Sequence, residues 1–209
     1  MTWFLRNWDQ VAIGLGEHIL ISLSALAISF AIAFVVGLWA ARRESVFQAS
    51  LAISGFLYTI PTLAFLALLI PIVGLGKTNA IIVMVCFSLL ILIRNIATGI
   101  RELPAELIEA ADGMGYGPWR RLWKIELPLA LPVIVAGIRI TAVTQISVAT
   151  VAAYISAGGL GDIIFQGITQ DFGEKILAGA ILTSLLAILA DETLRRLERR
   201  LRAATAESV

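Results

Sequence analysis

The chain has 209 residues, of which 59% are hydrophobic and 15% charged, and its formal net charge is +1. Soluble domains carry about 25% charged residues, so this composition excludes an ordinary soluble globular protein. Without a basic excess, no nucleic-acid partner is expected.

Long uncharged stretches predict an all-α, polytopic membrane protein, because a helix needs roughly 20 apolar residues to cross a bilayer. Residues 1–18 are expected to lie outside the membrane or at its surface. A six-span alternative would need residues 3–15 to cross, and the charges of Arg6, Asp9 and Glu17 argue against it. Five spans are predicted, at residues 19–41, 51–72, 79–93, 131–153 and 176–190.

The positions of lysine and arginine predict the orientation, since cytoplasmic loops are enriched in both. With five spans, twelve of the 16 basic residues fall on one side, which is assigned to the cytoplasm. The N-terminus is then outside and the C-terminus inside. A membrane domain is assigned to residues 19–194 and a cytoplasmic tail to 195–209, in a chain expected in the inner, or plasma, membrane.

Proline and glycine interrupt the helical pattern at two places. Pro61 lies in the middle of the second span, where it removes a backbone donor and is expected to kink the helix. The sequence Gly158-Gly159-Leu160-Gly161-Asp162 predicts a turn or a partly re-entrant segment on the outer side, with a simple extracellular loop as the alternative.

The segment between the third and fourth spans, residues 94–126, is polar and lies on the predicted cytoplasmic side; it is called the inner loop below. Pro104 predicts the start of a short helix, and Gly113 and Gly115 predict its end. A second, amphipathic helix is predicted to start at Pro118, with an aromatic and basic face at the membrane border.

The spacing of Glu109-Ala110-Ala111, Gly115 and Leu127-Pro128 resembles the coupling loop, or EAA loop, of the permease subunits of ABC importers. Small alanine side chains would let a partner protein approach the backbone closely, and Glu109 could offer it a carboxylate. An ordinary amphipathic loop lying on the membrane is the alternative. The resemblance implies that an ATPase contacts Glu106, Glu109, Ala110, Ala111, Gly115, Arg120 and Arg121.

Further motifs resemble the permease subunits of osmoprotectant ABC importers, the glycine betaine, carnitine and choline group. They lie in most of the chain from about residue 50 to 195. The motifs are Tyr58-Thr59-Ile60-Pro61-Thr62-Leu63-Ala64, Arg94-Asn95 with Thr98-Gly99, Glu106–Gly115, Leu127–Pro132 with Ala136-Gly137-Ile138-Arg139, and Ala152-Ala153-Tyr154-Ile155 with Gly158–Asp162.

This resemblance implies a type I ABC importer permease fold with a cytoplasmic coupling helix. It also implies several partners: a cytoplasmic ABC ATPase dimer, a second permease subunit (identical or homologous), an extracytoplasmic substrate-binding protein, and membrane lipid. ATP and Mg would be bound by the partner ATPase. In this chain no catalytic residue, metal site or cofactor is expected, and the sequence has no Gly-x-x-x-x-Gly-Lys-Ser/Thr phosphate-binding motif.

Polar side chains at membrane depth are candidates for lining a substrate path, because they are costly when they face lipid. Tyrosine rings could attract a quaternary ammonium group by cation–π interaction. Serine and threonine could serve helix packing instead, and Gln145 departs from the smaller or less polar residue expected there. The predicted path residues are Tyr58, Thr59, Pro61, Asn95, Thr144, Gln145, Ser147 and Tyr154.

Some charged residues are given no transport role. Arg139 lies within a predicted span without an obvious carboxylate partner, Asp191-Glu192 is expected to be solvated, and His18 is expected at an interface.

Three other functions are considered. The first is a permease for methionine or another amino acid. The second is an ATP-independent secondary transporter, which predicts acidic residues inside spans and inverted repeats; the sequence shows neither. The third is a membrane enzyme, which predicts a histidine or acidic cluster at the membrane surface.

Overall fold

The computed structural model describes residues 2–206, and their backbone is almost entirely helical, which confirms the all-α prediction. The long helices are α2 (Trp8–Arg42), α5 (Lys77–Arg101), α8 (Leu127–Ala152) and α10 (Gly173–Ala206). The short ones are α1 (Thr2–Arg6), α3 (Glu44–Thr59), α4 (Thr62–Val73), α6 (Ala105–Gly113), α7 (Pro118–Arg121) and α9 (Leu160–Thr169). A π-helical turn, Leu122–Glu126, joins α7 to α8, and a 3-10 turn, Ala153–Ile155, follows α8.

The directions of the helices give five membrane crossings, as predicted. Helices α2 and α5 run parallel, because Glu17 in the third turn of α2 pairs with Lys77 at the start of α5, and Gly37 packs on Ile96 farther along both helices. The α3–α4 pair must therefore carry the chain back across the membrane, as a broken span rather than a re-entrant loop. Helices α8 and α10 then cross in opposite directions.

The second span is two helices rather than the single kinked helix expected from Pro61. Helices α3 and α4 meet at 96°. Pro61 has no N–H for the carbonyl of Leu57, and its ring favours an extended conformation at the preceding residue. Ile60 is extended accordingly, with ψ 126°, and its N–H donates to the Leu57 carbonyl over 3.2 Å.

Helices α2 and α10 extend well beyond the uncharged stretches within them. Residues 8–18, assigned by sequence to the N-terminal segment, continue α2 without a break, and α10 runs through residues 195–206 of the predicted tail. Three of the charges near the predicted ends, Glu17, Arg42 and Asp191, pair with residues outside their own helix. Glu17, for example, pairs with Lys77 over 2.7 Å.

His18 is fully buried among the helices, a packing that the prediction of an interfacial position did not include. Its Nε2 lies 3.0 Å from the carbonyl oxygen of Ile146 on α8. Because a carbonyl oxygen can only accept, Nε2 carries the proton and donates it. Gly159 covers the other ring nitrogen closely, and a Cβ there would lie 3.0 Å from Nδ1. His18 therefore joins α2 to α8 and to the glycine-rich segment that follows α8.

The glycine-rich segment after α8 contains a turn and then a helix, α9, which the sequence reading did not predict. Gly158 and Gly159, each at φ 87°, make the turn. The Gly159 N–H donates to Glu17 Oε2 over 3.1 Å. Gly161 lies inside the first turn of α9, where the helix crosses so close to α8 that no side chain fits. Asp162 lies in the same turn of α9, and the burial of its carboxyl group and the nearby charge of Glu17 raise its pKa.

Replacing Gly161 with alanine is expected to destabilise the protein, because the new Cβ would lie 2.2 Å from the Thr150 carbonyl oxygen. Overpacking of this kind costs about 1–3 kcal/mol, which corresponds to a Tm lower by about 5 °C for a chain of this size. Thermal unfolding in detergent measures the change. Gly16→Ala is the control, because a Cβ at Gly16 meets no atom within 4 Å. Equal Tm values for both variants would contradict the prediction.

The core forms around α5. In the most apolar stretch of α5, 56% of the residues are buried, against 11% in α10, so α5 is central and α10 peripheral. Gln145 on α8 donates to Ser88 Oγ on α5 over 2.7 Å and lies 3.4 Å from Ser29 Oγ on α2. These three residues, the polar node, join three crossings, since polar side chains bind across helices within a membrane.

Candidate functional site

Residues 94–101 of the inner loop continue α5, and α6 follows; the start of α6 after Pro104 and its end at Gly113 are as predicted. Gly115, with φ 79°, takes the left-handed position of a Schellman motif. The Gly115 N–H donates to the Asp112 carbonyl over 2.9 Å, and the Tyr116 N–H to the Ala111 carbonyl over 3.1 Å. A Cβ at Gly115 would meet no other atom. The glycine is thus required by the backbone conformation.

One face of α6 is open to solvent. Glu106, Glu109 and Ala110 are exposed, as a partner-binding surface requires. Met114, just past the helix, is 68% exposed and adds an apolar side chain that the predicted site did not include. Ala111 is 0% exposed, so the prediction that it faces a partner is wrong. Its methyl group packs inward beneath the exposed face.

The second half of the inner loop begins at Pro118, as predicted, and continues without interruption into α8. Trp119 and Trp123 are 74% and 56% exposed, while Leu122 between them is buried. Arg120 is exposed and stacks over the ring of Tyr116, with the guanidinium carbon 4.6 Å from the ring centroid. Aromatic and basic side chains therefore border the N-terminal end of α8, as the amphipathic pattern indicates.

Arg121 points into the protein and not towards a partner, which corrects its predicted contact with the ATPase. Its Nη1 lies 2.6 Å from Asp112 Oδ2 on α6, and its Nε lies 2.8 Å from Glu126 Oε1. The second oxygen of Glu126 accepts from Arg42 Nη2, at the end of α2, over 2.6 Å. These four residues, Asp112, Arg121, Glu126 and Arg42, form the ion-pair chain.

Glu126 was missed by the sequence reading because its partner is five residues away. Pairs on an α-helix are expected at separations of three or four residues. Here the π-helical turn Leu122–Glu126 brings Arg121 and Glu126 together. The available signal was an acid between two apolar residues at the entrance to a span.

The break between α3 and α4 opens a cleft that brings four of the predicted path residues together. Tyr58, Thr59, Pro61 and Thr144 line it, in a volume of about 280 Å³. Phe87, which the prediction omitted, lies beside Tyr58 with the ring centroids 5.7 Å apart. Irregular backbone at membrane depth must be buried or line a cavity. The backbone at the α3–α4 break meets that requirement, because it lines this cleft. The space is called the mid-membrane cleft below.

The other four predicted path residues lie elsewhere. Gln145 is 1% exposed and belongs to the polar node, so its predicted place in the path is wrong. Asn95 donates to the carbonyl of Ile91 in its own helix and packs against Gly137. Ser147 lines a different cleft, between α8 and α10. Tyr154 is 67% exposed just after α8 and contacts the ring of Phe165.

Arg139 has carboxylate partners within the chain, although the sequence suggested none. Its Nε lies 3.5 Å from Asp191 Oδ1, and its Nη1 lies 3.4 Å from Glu198 Oε2, both on α10. Asp191 is therefore not simply solvated, and Glu198 is buried. The sequence reading missed these pairs because it ended the fifth span before α10 completes its course.

Comparison with known proteins assigns the chain to a protein family. Residues 33–203 match the family of binding-protein-dependent transport system inner membrane components. The chain belongs to this family, and it is a multi-pass permease subunit of the inner membrane. Transport systems of this kind combine a membrane permease with an ATPase and a substrate-binding protein.

Individual relatives confirm the resemblance to osmoprotectant permeases. The carnitine transport permease protein OpuCB of Listeria monocytogenes is 39% identical, over 96% of this chain and 92% of its own length. The glycine betaine/carnitine/choline transport system permease protein OpuCB of Bacillus subtilis (strain 168) is 36% identical over 96% and 92%. The choline transport system permease protein OpuBB of Bacillus subtilis (strain 168) is 40% identical over 88% and 85%.

A solved structure confirms the type I ABC importer permease fold. The chain superposes on a chain of the inward-facing MetNI methionine ABC transporter with a TM-score of 0.84. The match covers 93% of this chain and 97% of the other at 24% identity, so it concerns the fold alone.

Proposed function

We propose that this chain is the permease subunit of an ATP-driven importer for osmoprotectants such as glycine betaine, carnitine, choline or proline betaine. The observation that carries the proposal is the nearly full-length similarity, at 36–40% identity, to permeases named for carnitine, glycine betaine and choline transport. Since no single compound is common to all these names, the proposal concerns the class of small quaternary ammonium compounds.

Two features of the structure support this role. The exposed face of α6, with Glu106, Glu109 and Ala110, offers a surface for an ATPase on the cytoplasmic side. The mid-membrane cleft offers Tyr58 and Phe87, whose ring faces can attract a quaternary ammonium group that has no N–H to donate. The chain would thus combine an ATPase-binding surface with part of a path for the substrate.

The proposed assembly contains two permease subunits, identical or homologous, on a cytoplasmic ABC ATPase dimer, with a substrate-binding protein outside. ATP and Mg bind to the ATPase, and this chain holds no cofactor. The N-terminus faces outside and the C-terminus the cytoplasm, which places α6 on the side where ATP is available. Selection of the substrate then lies mainly with the binding protein.

A second candidate function is the import of an amino acid or amino-acid derivative. The ergothioneine transport permease/ergothioneine binding protein EgtU of Helicobacter pylori (strain G27) is 36% identical over 158 residues. That match covers 76% of this chain but only 29% of the relative. The methionine transporter resembles this chain in fold, as described above.

Reconstituted uptake tests the proposal. Liposomes containing this chain and its ATPase, with ATP enclosed and the binding protein outside, are expected to accumulate labelled carnitine, glycine betaine or choline. Enclosed ADP in place of ATP is the control and is expected to abolish accumulation. Uptake that persists without the ATPase would overturn the proposal in favour of a secondary transporter. Uptake of methionine or ergothioneine alone would support the second candidate.

A further inference from the structure

The ion-pair chain connects three parts of the protein that are distant in sequence. It starts at Asp112 on α6, passes through Arg121 and Glu126 before α8, and ends at Arg42, the last residue of α2. Within residues 2–206, the Asp112–Arg121 pair is the only hydrogen bond or ion pair from an α6 side chain to another helix. The exposed helix is thus attached to the membrane core through one polar contact.

The centre of the ion-pair chain is buried, whereas its two ends are exposed to solvent. The side chain of Glu126 is 2% exposed and that of Arg121 15%, whereas Arg42 and Asp112 are 40% and 52% exposed. A buried carboxylate is costly unless its charge is paired and its oxygens accept hydrogen bonds. Glu126 meets this condition only with both arginines in place, one on each oxygen. The two connections therefore depend on each other.

We propose that the ion-pair chain is a mechanical link that makes the cytoplasmic end of α2 follow α6 when a partner displaces α6. This inference rests on the proposed function, in which the ATPase supplies the displacement. Charge-assisted hydrogen bonds are short and directional, so they transmit a displacement that flexible surface contacts would absorb. Helix α2 packs along α5 through Gly37 and Ile96, and movement at Arg42 therefore reaches the central helix.

The two arginines have different roles in this link. Arg121 binds two carboxylates at once, through Nη1 and Nε, and a lysine ammonium cannot reproduce that fork. Arg42 binds one oxygen through Nη2 alone, so a lysine can replace it as a charge. Glu126, Arg121 and Arg42 are positioning residues, since none lies on the exposed face of α6.

The test measures substrate accumulated per ATP hydrolysed in the reconstituted importer. Glu126→Gln is expected to lower this ratio about tenfold, because it removes the negative charge that holds both arginines, with the amount of co-purified ATPase unchanged. Glu192→Gln is the matched control. Glu192 also pairs with two arginines, Arg195 and Arg196, but all three lie on α10, and within residues 2–206 these two ion pairs connect no other helix. An equal ratio for both variants would overturn the proposal.

Arginine substitutions keep the test decisive if Glu126→Gln fails to fold. Arg42→Lys is expected to retain the parent ratio of uptake to ATP hydrolysis, whereas Arg42→Gln and Arg121→Lys are expected to lose it. A link that only stabilises the fold would lower protein yield and leave the ratio unchanged, and that result would also overturn the proposal. If the proposed function itself were wrong, the unsubstituted chain would show no ATP-driven uptake, so the two failures are distinguishable.

Discussion

Replacing Ala110 with tryptophan is expected to abolish uptake and to release the ATPase from the purified permease, while membrane insertion is retained. Ala110 is exposed on the open face of α6, where its small side chain lets another protein approach the backbone. An indole group at such an interface costs about 1–3 kcal/mol through overpacking, which corresponds to about 5- to 150-fold weaker binding. Co-purification of the ATPase and ATP-driven uptake in liposomes measure the effect.

Ala203→Trp is the matched control, because Ala203 is an exposed alanine near the C-terminal end of α10, outside the inner loop. It is expected to leave both measurements unchanged. Ala111→Trp separates binding from folding. Ala111 is buried, so the substitution is expected to lower the yield of folded protein instead. Normal ATPase binding by Ala110→Trp would show that α6 is not the surface on which the ATPase docks.

Replacing Thr144 with tryptophan is expected to reduce uptake at least about tenfold while the ATPase still co-purifies, because the indole would fill the mid-membrane cleft. Thr144 lines this cleft opposite the α3–α4 break. The volume of the cleft, about 280 Å³, leaves little room for an added ring system. Loss of uptake without loss of the ATPase distinguishes this variant from Ala110→Trp. Labelled carnitine uptake and ATPase co-purification are the measurements.

Ser147 provides the comparison, since it lies one turn farther along α8 and lines the other cleft, of about 380 Å³, between α8 and α10. Ser147→Trp is expected to leave uptake close to that of the unsubstituted chain. The reverse result, with Ser147→Trp inactive and Thr144→Trp active, would place the substrate path along α10. Equal losses in both variants would indicate that neither cleft alone is the path.

The sequence predicted those features that depend on local chemistry. Helix α6 begins after Pro104 and ends at Gly113 because proline and glycine determine the backbone conformation around them. The number of crossings follows from hydropathy for the same reason. The break at Pro61 was located correctly but underestimated, since proline alone does not fix the direction in which the next helix leaves.

The remaining features depend on contacts between distant residues. The burial of Glu126 requires Arg42, from another helix, and a π-helical turn that places Arg121 within reach. Helix α9 contains Gly161 although glycine is a poor helix former. The helix packs so closely on Thr150 that only a residue without a side chain fits there. Gln145 looked like a path residue because its partners, Ser88 and Ser29, are remote in sequence. Periodicity within one segment contains no information about such partners.

The polar node constrains how the permease can change conformation. Water is absent from the bilayer interior, so separating Gln145 from Ser88 would leave hydrogen-bonding groups without substitutes. Measured interhelical hydrogen bonds in membranes contribute about 0.6–2 kcal/mol each. This energy favours conformations in which α2, α5 and α8 keep their positions relative to one another. We therefore expect these three helices to tilt as one rigid block during the transport cycle, with the gate formed where that block meets other elements.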